Sequence, residues 1–298
     1  MAVEQVKATI NGQEYVLTLN TSTGKYEATV TAPTKSSFNN TGGYYPVTIE
    51  ATDDAGNTTT VTSSDSTLGE NLRLVVKEKV APVITITSPT AGAYITNNKP
   101  TFKWKVTDDD SGVNVATVSI SIDNGEAVTS GITKTSIDGG YEFSYTPTTA
   151  LSDGSHSIAI NAKDNDGNAA SQKTVAFTVD TVAPILNISS PVDGIAQSEV
   201  TCVVAGTTND STSSPVTVTV NGKAVTVGAD GSFSEAISLT EGMNTITIVA
   251  TDAAGKTTTI TRTVKLDTGA PQFISVTINP NPVDAGNTYV ISVSVEDK

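Results

Sequence analysis

Residues 81–89 read APVITITSP, residues 183–191 read APILNISSP, and residues 270–280 read APQFISVTINP. Each stretch opens on Ala-Pro and then runs through β-branched residues. Proline has no N–H to give to a sheet, so it suits the first residue of a strand. A second unit recurs between these: VTIEATDDAGN at 47–57, IAINAKDNDGN at 158–168 and ITIVATDAAGK at 246–256. A strand that ends on Asp and runs into a Gly-containing turn is therefore written three times.

Between the recurring units the text alternates with a period of two, which marks half-buried strands. Val118, Ile120 and Ile122 alternate with Thr117, Ser119 and Ser121; Val216, Val218 and Val220 alternate with Thr217 and Thr219; Phe102, Trp104 and Val106 alternate with lysines. Asn11-Gly12, Asn124-Gly125, Asn221-Gly222 and Asp230-Gly231 bound the strands. Such pairs accept positive φ and make tight hairpins. No helical stripe is present. Strands of this length, repeating about every 100 residues, predict an all-β chain of tandem immunoglobulin-like β-sandwiches.

The chain has 298 residues, with 37% hydrophobic and 5% aromatic content, so its cores are built mostly from Val, Ile and Ala. Its net charge of −14, from 31 acidic and 17 basic residues, opposes binding to nucleic acid. Cys202 is the one cysteine, so no intrachain disulfide forms. No apolar run of about 18 residues is present, and no membrane insertion is expected. The first residues lack the basic and apolar regions of a signal peptide, and the last carry no sorting or lipidation signal.

The segments VDTVAP, TDDAGN and TDAAGK resemble the tandem bacterial immunoglobulin-like repeats of surface proteins and of phage tail or other virion-associated proteins. The resemblance implies a structural or adhesive protein, not an enzyme. It places the chain in a virion assembled in the host cytoplasm, with an extracellular or cell-surface location as the alternative. A stalk fragment of a secreted adhesin and an accessory module of a cell-wall or polysaccharide-degrading enzyme are the alternative functions.

The repeats divide unevenly. Residues 81–181 and 182–268 each read as a complete domain. Residues 1–80 begin at a strand, 6–12, that aligns with 118–125 and 216–222, the third strand of a sandwich; strands A and B have no counterpart before it. Residues 269–298 supply only strands A and B, with Ile291, Val293, Val295 and Asp297 matching Phe102, Trp104, Val106 and Asp108. One sandwich is thus expected to be split between the two ends. Its closure is expected in cis or, by preference, head-to-tail with another copy or a neighbouring virion or tail protein. The alternatives are a chain cut from a longer one, or a fourth domain too degraded to recognise. A host cell surface is a further expected partner.

No catalytic, cofactor-binding or metal-ligating residue is assigned, and no cofactor is expected. His156 and Cys202 fall in different domains, which excludes a Cys–His pair within either; His156 reads as a surface residue and Cys202 as a core residue. Trp104 reads as core. Tyr44 and Tyr45 are adjacent, so one points outward as a ligand candidate, although packing at a loop corner is the simpler role. Asp164-Asn165-Asp166 and the Asp108-Asp109-Asp110 run offer oxygen ligands of the kind calcium takes. The stretch lacks the distal Glu of a twelve-residue calcium loop, and calcium near Asp164, Asp166 or Asp108 stays open at this point.

Overall fold

A computed structural model describes residues 2–297; Met1 and Lys298, the outer limits of the first and last expected segments, lie outside the described residues. The chain is all-β. Among the described residues the only helical turns are two short 3-10 segments, Thr41–Gly43 and Gly69–Leu72, and no helix is long and apolar enough to cross a membrane. Residues 1–93 with 99–177 form one compact unit, and residues 94–98 with 178–298 form another.

The first unit begins with a single sheet built from β1 (Val3–Ile10), β2 (Gln13–Asn20), β3 (Lys25–Glu27), β4 (Tyr45–Asp53), β5 (Thr58–Val61) and β6 (Arg73–Leu74). Its order is β3-β2-β1-β4-β5, with β6 on β4. Strand β1 starts earlier than the sequence pattern indicates and turns at Asn11 and Gly12, both at positive φ. Among the described residues of this stretch, only Val6, Ala8 and Tyr45 are buried hydrophobics.

The chain continues into a sandwich of β7 (Val83–Ser88), β8 (Tyr94–Ile95), β9 (Phe102–Thr107), β10 (Val113–Ile122), β11 (Thr133–Ile137), β12 (Gly140–Tyr145), β13 (Gly154–Asp164) and β14 (Lys173–Val179), of which β8 and the last two residues of β14 fall in the second unit. One sheet runs β11-β12-β9-β7 and the other β10-β13-β14-β8. Alternation along β9 becomes burial. Phe102, Trp104 and Val106 are fully buried while the lysines between them face out. Trp104 stacks on Phe143 at 5.8 Å, and Phe102 reaches the other sheet at Phe177, 5.6 Å away. Each such side chain contributes about 1.5–3 kcal/mol by leaving water. The hairpin after β10 differs from expectation by one residue. Asp123 and Asn124 hold the positive φ angles, not Asn124 and Gly125. Asp123 is fixed there because its N–H donates to the Ser157 carbonyl and its carboxylate accepts the Ser157 N–H.

The second unit holds β15 (Ile185–Ser190), β16 (Ile195–Gln197), β17 (Thr201–Asn209), β18 (Thr217–Val220), β19 (Lys223–Val225), β20 (Ser232–Ser238), β21 (Gly242–Thr251) and β22 (Thr257–Leu266). Sheets β15-β17-β20 and β16-β22-β21-β18-β19 share one core containing Cys202, Val204, Val218, Ile248 and Val264. The first two strands of the two sandwiches pair in the same register, Val83↔Thr107 and Ile185↔Asn209. By that register Gly206 occupies the place of Trp104. A Cβ there would lie 2.2 Å from the Asn187 carbonyl and 2.8 Å from the Phe233 ring, so glycine is what lets strand and ring approach.

The unit ends in a two-stranded hairpin, β23 (Gln272–Asn279) and β24 (Val290–Glu296). It opens in the register of the other two pairs, Gln272↔Glu296, but its bulge falls between Phe273 and Ser275 where theirs fall between Ile86 and Ser88 and between Ile188 and Ser190. Every residue of both strands is exposed.

Candidate metal centres at the strand ends

The residues singled out for chemistry sit mostly in packing. Cys202 is 3% exposed, and burial pushes its thiol pKa up, away from a reactive thiolate. His156 is not a surface residue: only 9% is exposed, because it lies in β13 against Phe177. Its Nδ1 meets Asp123 Oδ2 at 2.7 Å and its Nε2 meets the Ser152 carbonyl at 2.8 Å. Burial works against its charge, but the hydrogen bonds to Asp123 and Ser152 outweigh it and the pKa is raised. Two acceptors flanking the ring call for protons on both nitrogens. Tyr45 points inward and donates its hydroxyl to the Lys35 carbonyl, while half-exposed Tyr44 lies beneath Arg73 at 5.2 Å. Trp104 is core.

The acidic residues are different. Asp53, Asp164 and Asp252 each close the long strand that precedes a Gly-containing turn, and the backbone handles all three alike. The Asp N–H donates to the carbonyl four residues on, and Oδ1 accepts the N–H of that same residue: Asn57, Asn168 or Lys256. At Asp53 and Asp164 the second oxygen is also satisfied, by the side-chain amide of Asn57 at 2.9 Å and of Asn168 at 2.6 Å. The hydrogen bonds from Asn57 hold the Asp53 carboxyl below its usual range. Lys256 has no such amide, and Asp252 Oδ2 is buried without a hydrogen-bond partner.

Two carboxylate trios form around these aspartates. In the first unit Glu78, Asp108 and Asp164 bring one oxygen each within 4.8 Å of one another. Glu78 Oε1 accepts the Ser111 N–H at 3.0 Å, and Asp108 Oδ1 accepts the Gly112 N–H at 2.7 Å. Asp164 and Asp108 are thus brought together, as the calcium alternative requires. Asp166 instead accepts the Glu78 N–H at 3.0 Å through Oδ2. In the second unit Asp180, Asp210 and Asp252 meet the same distance limit and are all buried. Asp210 Oδ1 accepts the N–H groups of Thr212 and Ser213, both at 2.7 Å, and the Ser213 hydroxyl donates to Asp180 Oδ2.

Glu78, Asp180, Asp210 and Asp252 were not among the expected ligands, although the signal was present. An acid stands three residues before every Ala-Pro, at Glu78, Asp180 and Asp267; an Asp follows every second strand, at Asp108, Asp210 and Asp297. Asp267 is engaged otherwise: Lys265 Nζ lies 2.8 Å from its Oδ2 and, with the attendant charge, lowers its pKa.

Residues 87–181 match the family described as a bacterial Ig-like domain, and residues 184–268 match domain B of glucodextranase. Bacillopeptidase F of Bacillus subtilis is 32% identical over 179 residues, 60% of this chain; the chain spans 11% of that protein's length. Among solved structures, fibronectin(III)-like modules of CbhA from Clostridium thermocellum align with 62% of this chain and 94% of theirs, at 18% identity and a TM-score of 0.37. A tetra-tandem repeat from the extending region of a large adhesion protein aligns with 98% of this chain and 79% of its own, at 20% identity and a TM-score of 0.33. The chain is an all-β tandem of β-sandwiches, one of which matches the bacterial Ig-like domain family.

Proposed function

We propose that this chain is a non-catalytic spacer segment of a bacterial protein displayed outside the cell, which sets a distance between functional parts. The match of two successive sandwiches to domain families, one of them named as domain B of glucodextranase, is the observation that carries this reading. The relationship to a stretch of bacillopeptidase F supports it, because there too the shared region is a small part of a much longer chain. The outward faces of β9, β18 and β22 are Lys and Thr, which suits a surface that stays in water. Co-sedimentation of the purified chain with insoluble peptidoglycan and with insoluble α-glucan tests this. A spacer stays in the supernatant with both. Saturable sedimentation with either would replace the spacer by a ligand-binding accessory module.

A second reading is a virion or tail component that joins copies head-to-tail by strand exchange. The exposed β23–β24 hairpin favours it, since Phe273, Ile278, Ile291 and Val293 lie exposed on a strand pair that opens as a sandwich's first pair does. Its partner would be the β1–β6 sheet of another copy. Light scattering on the chain and on a version ending at Asp267 separates the two readings. An oligomer that becomes monomeric on truncation supports exchange between copies; a monomer in both cases removes it.

A further inference from the structure

We infer that Asp180, Asp210 and Asp252 bind one divalent cation, calcium by the chemistry of its ligands. Three carboxylates with 0%, 9% and 5% of their surface exposed lie with oxygens within 4.8 Å of one another. Burying like charges this closely is costly unless a positive charge joins them. None of the ion pairs among the described residues involves any of the three. Asp210 Oδ1 accepts two N–H groups and Asp252 Oδ1 accepts one, so the backbone fixes where both carboxylates point.

The independent pointer is Asp252 Oδ2. It is buried, belongs to the trio and has no donor, where the equivalent oxygens of Asp53 and Asp164 each have an asparagine amide. Lysine at 256 in place of asparagine removes that amide and leaves a lone pair for a ligand. All available donors are oxygens, which selects a hard cation, and calcium tolerates an irregular, water-completed shell better than magnesium does. The three residues come from the segment before β15 and from the ends of β17 and β21. A bound ion therefore ties that segment to both sheets of the second sandwich. Binding to the folded state alone would raise its stability by mass action.

The test is calorimetric titration of calcium chloride into the full chain after EDTA treatment, with thermal unfolding in calcium and in EDTA. The expected dissociation constant is roughly 10⁻⁴–10⁻³ M or tighter. The unfolding midpoint should be higher in calcium. Asp252→Asn should lose one bound ion per chain and the calcium-dependent part of the midpoint, while Asp230→Asn, at an exposed turn, should keep both. Should Asp252→Asn fail to fold, Lys256→Asn provides the second variant. It restores an amide to Asp252 Oδ2 and should weaken calcium binding about tenfold or more. Equal midpoints in calcium and EDTA, or an unchanged ion count in a folded Asp252→Asn, would overturn the inference.

Discussion

Strands β9 and β24 carry the same alternating pattern and end in opposite environments. Phe102, Trp104 and Val106 are completely buried, whereas Ile291, Val293 and Val295 are 58%, 49% and 51% exposed. Both pair with a preceding strand that opens on Ala-Pro. Only β9 also pairs with a strand on its other side, β12, and lies against Phe177 of the opposite sheet. Alternation thus specifies which face is apolar, and burial of that face depends on what is packed over it.

The largest effect should come from Trp104→Ala, which empties the centre of a closed core; a loss of about 3–5 kcal/mol is expected in denaturant unfolding. A loss below about 1 kcal/mol would mean that β9 is no better covered than β24. Gly206→Ala sharpens the comparison at the matching position of the second sandwich. The added Cβ would force β15 and β17 apart, and about 1–3 kcal/mol should be lost.

A smaller effect attaches to His156, beside Phe177 in the same core. Its folded pKa is raised above the usual value of about 6.5. Its contribution is therefore complete below the unfolded pKa and is lost as pH rises through the folded one. Unfolding midpoints between pH 5 and pH 9 should fall across that window, and His156→Gln should flatten the curve. The smallest effect is Val293→Ser, expected within about 0.5 kcal/mol because the side chain faces water. A clear destabilisation on that substitution would show that the hairpin is covered in solution, and would favour strand exchange between copies.

Much of the candidate site was written in the sequence but scattered through it. Asp164 and Asp108 stood out because each lies in a local cluster of oxygen ligands. Asp180, Asp210 and Asp252 are single acids in Thr- and Ser-rich text, and only pairing of distant strands brings them together. The position of His156 was misjudged for a related reason. A polar residue between Ser155 and Ser157 reads as solvent-facing, but Asp123 across the hairpin supplies the partner that lets it be buried. The Asp123-Asn124 turn escaped the dipeptide rule because a tertiary hydrogen bond to Ser157 decides it.

By itself the sequence determined the β-strand content, the repeat of Ala-Pro strands and Asp-ended strands, and the apolar face of each strand. These depend on side-chain alternation and on the backbone preferences of Pro, Gly and Asn, which act locally. Tertiary structure alone decided which apolar faces are covered, that His156 is buried against Asp123 and Phe177, and which carboxylates converge. Those outcomes depend on desolvation and on charges separated by tens of residues along the chain, and only packing sets those distances.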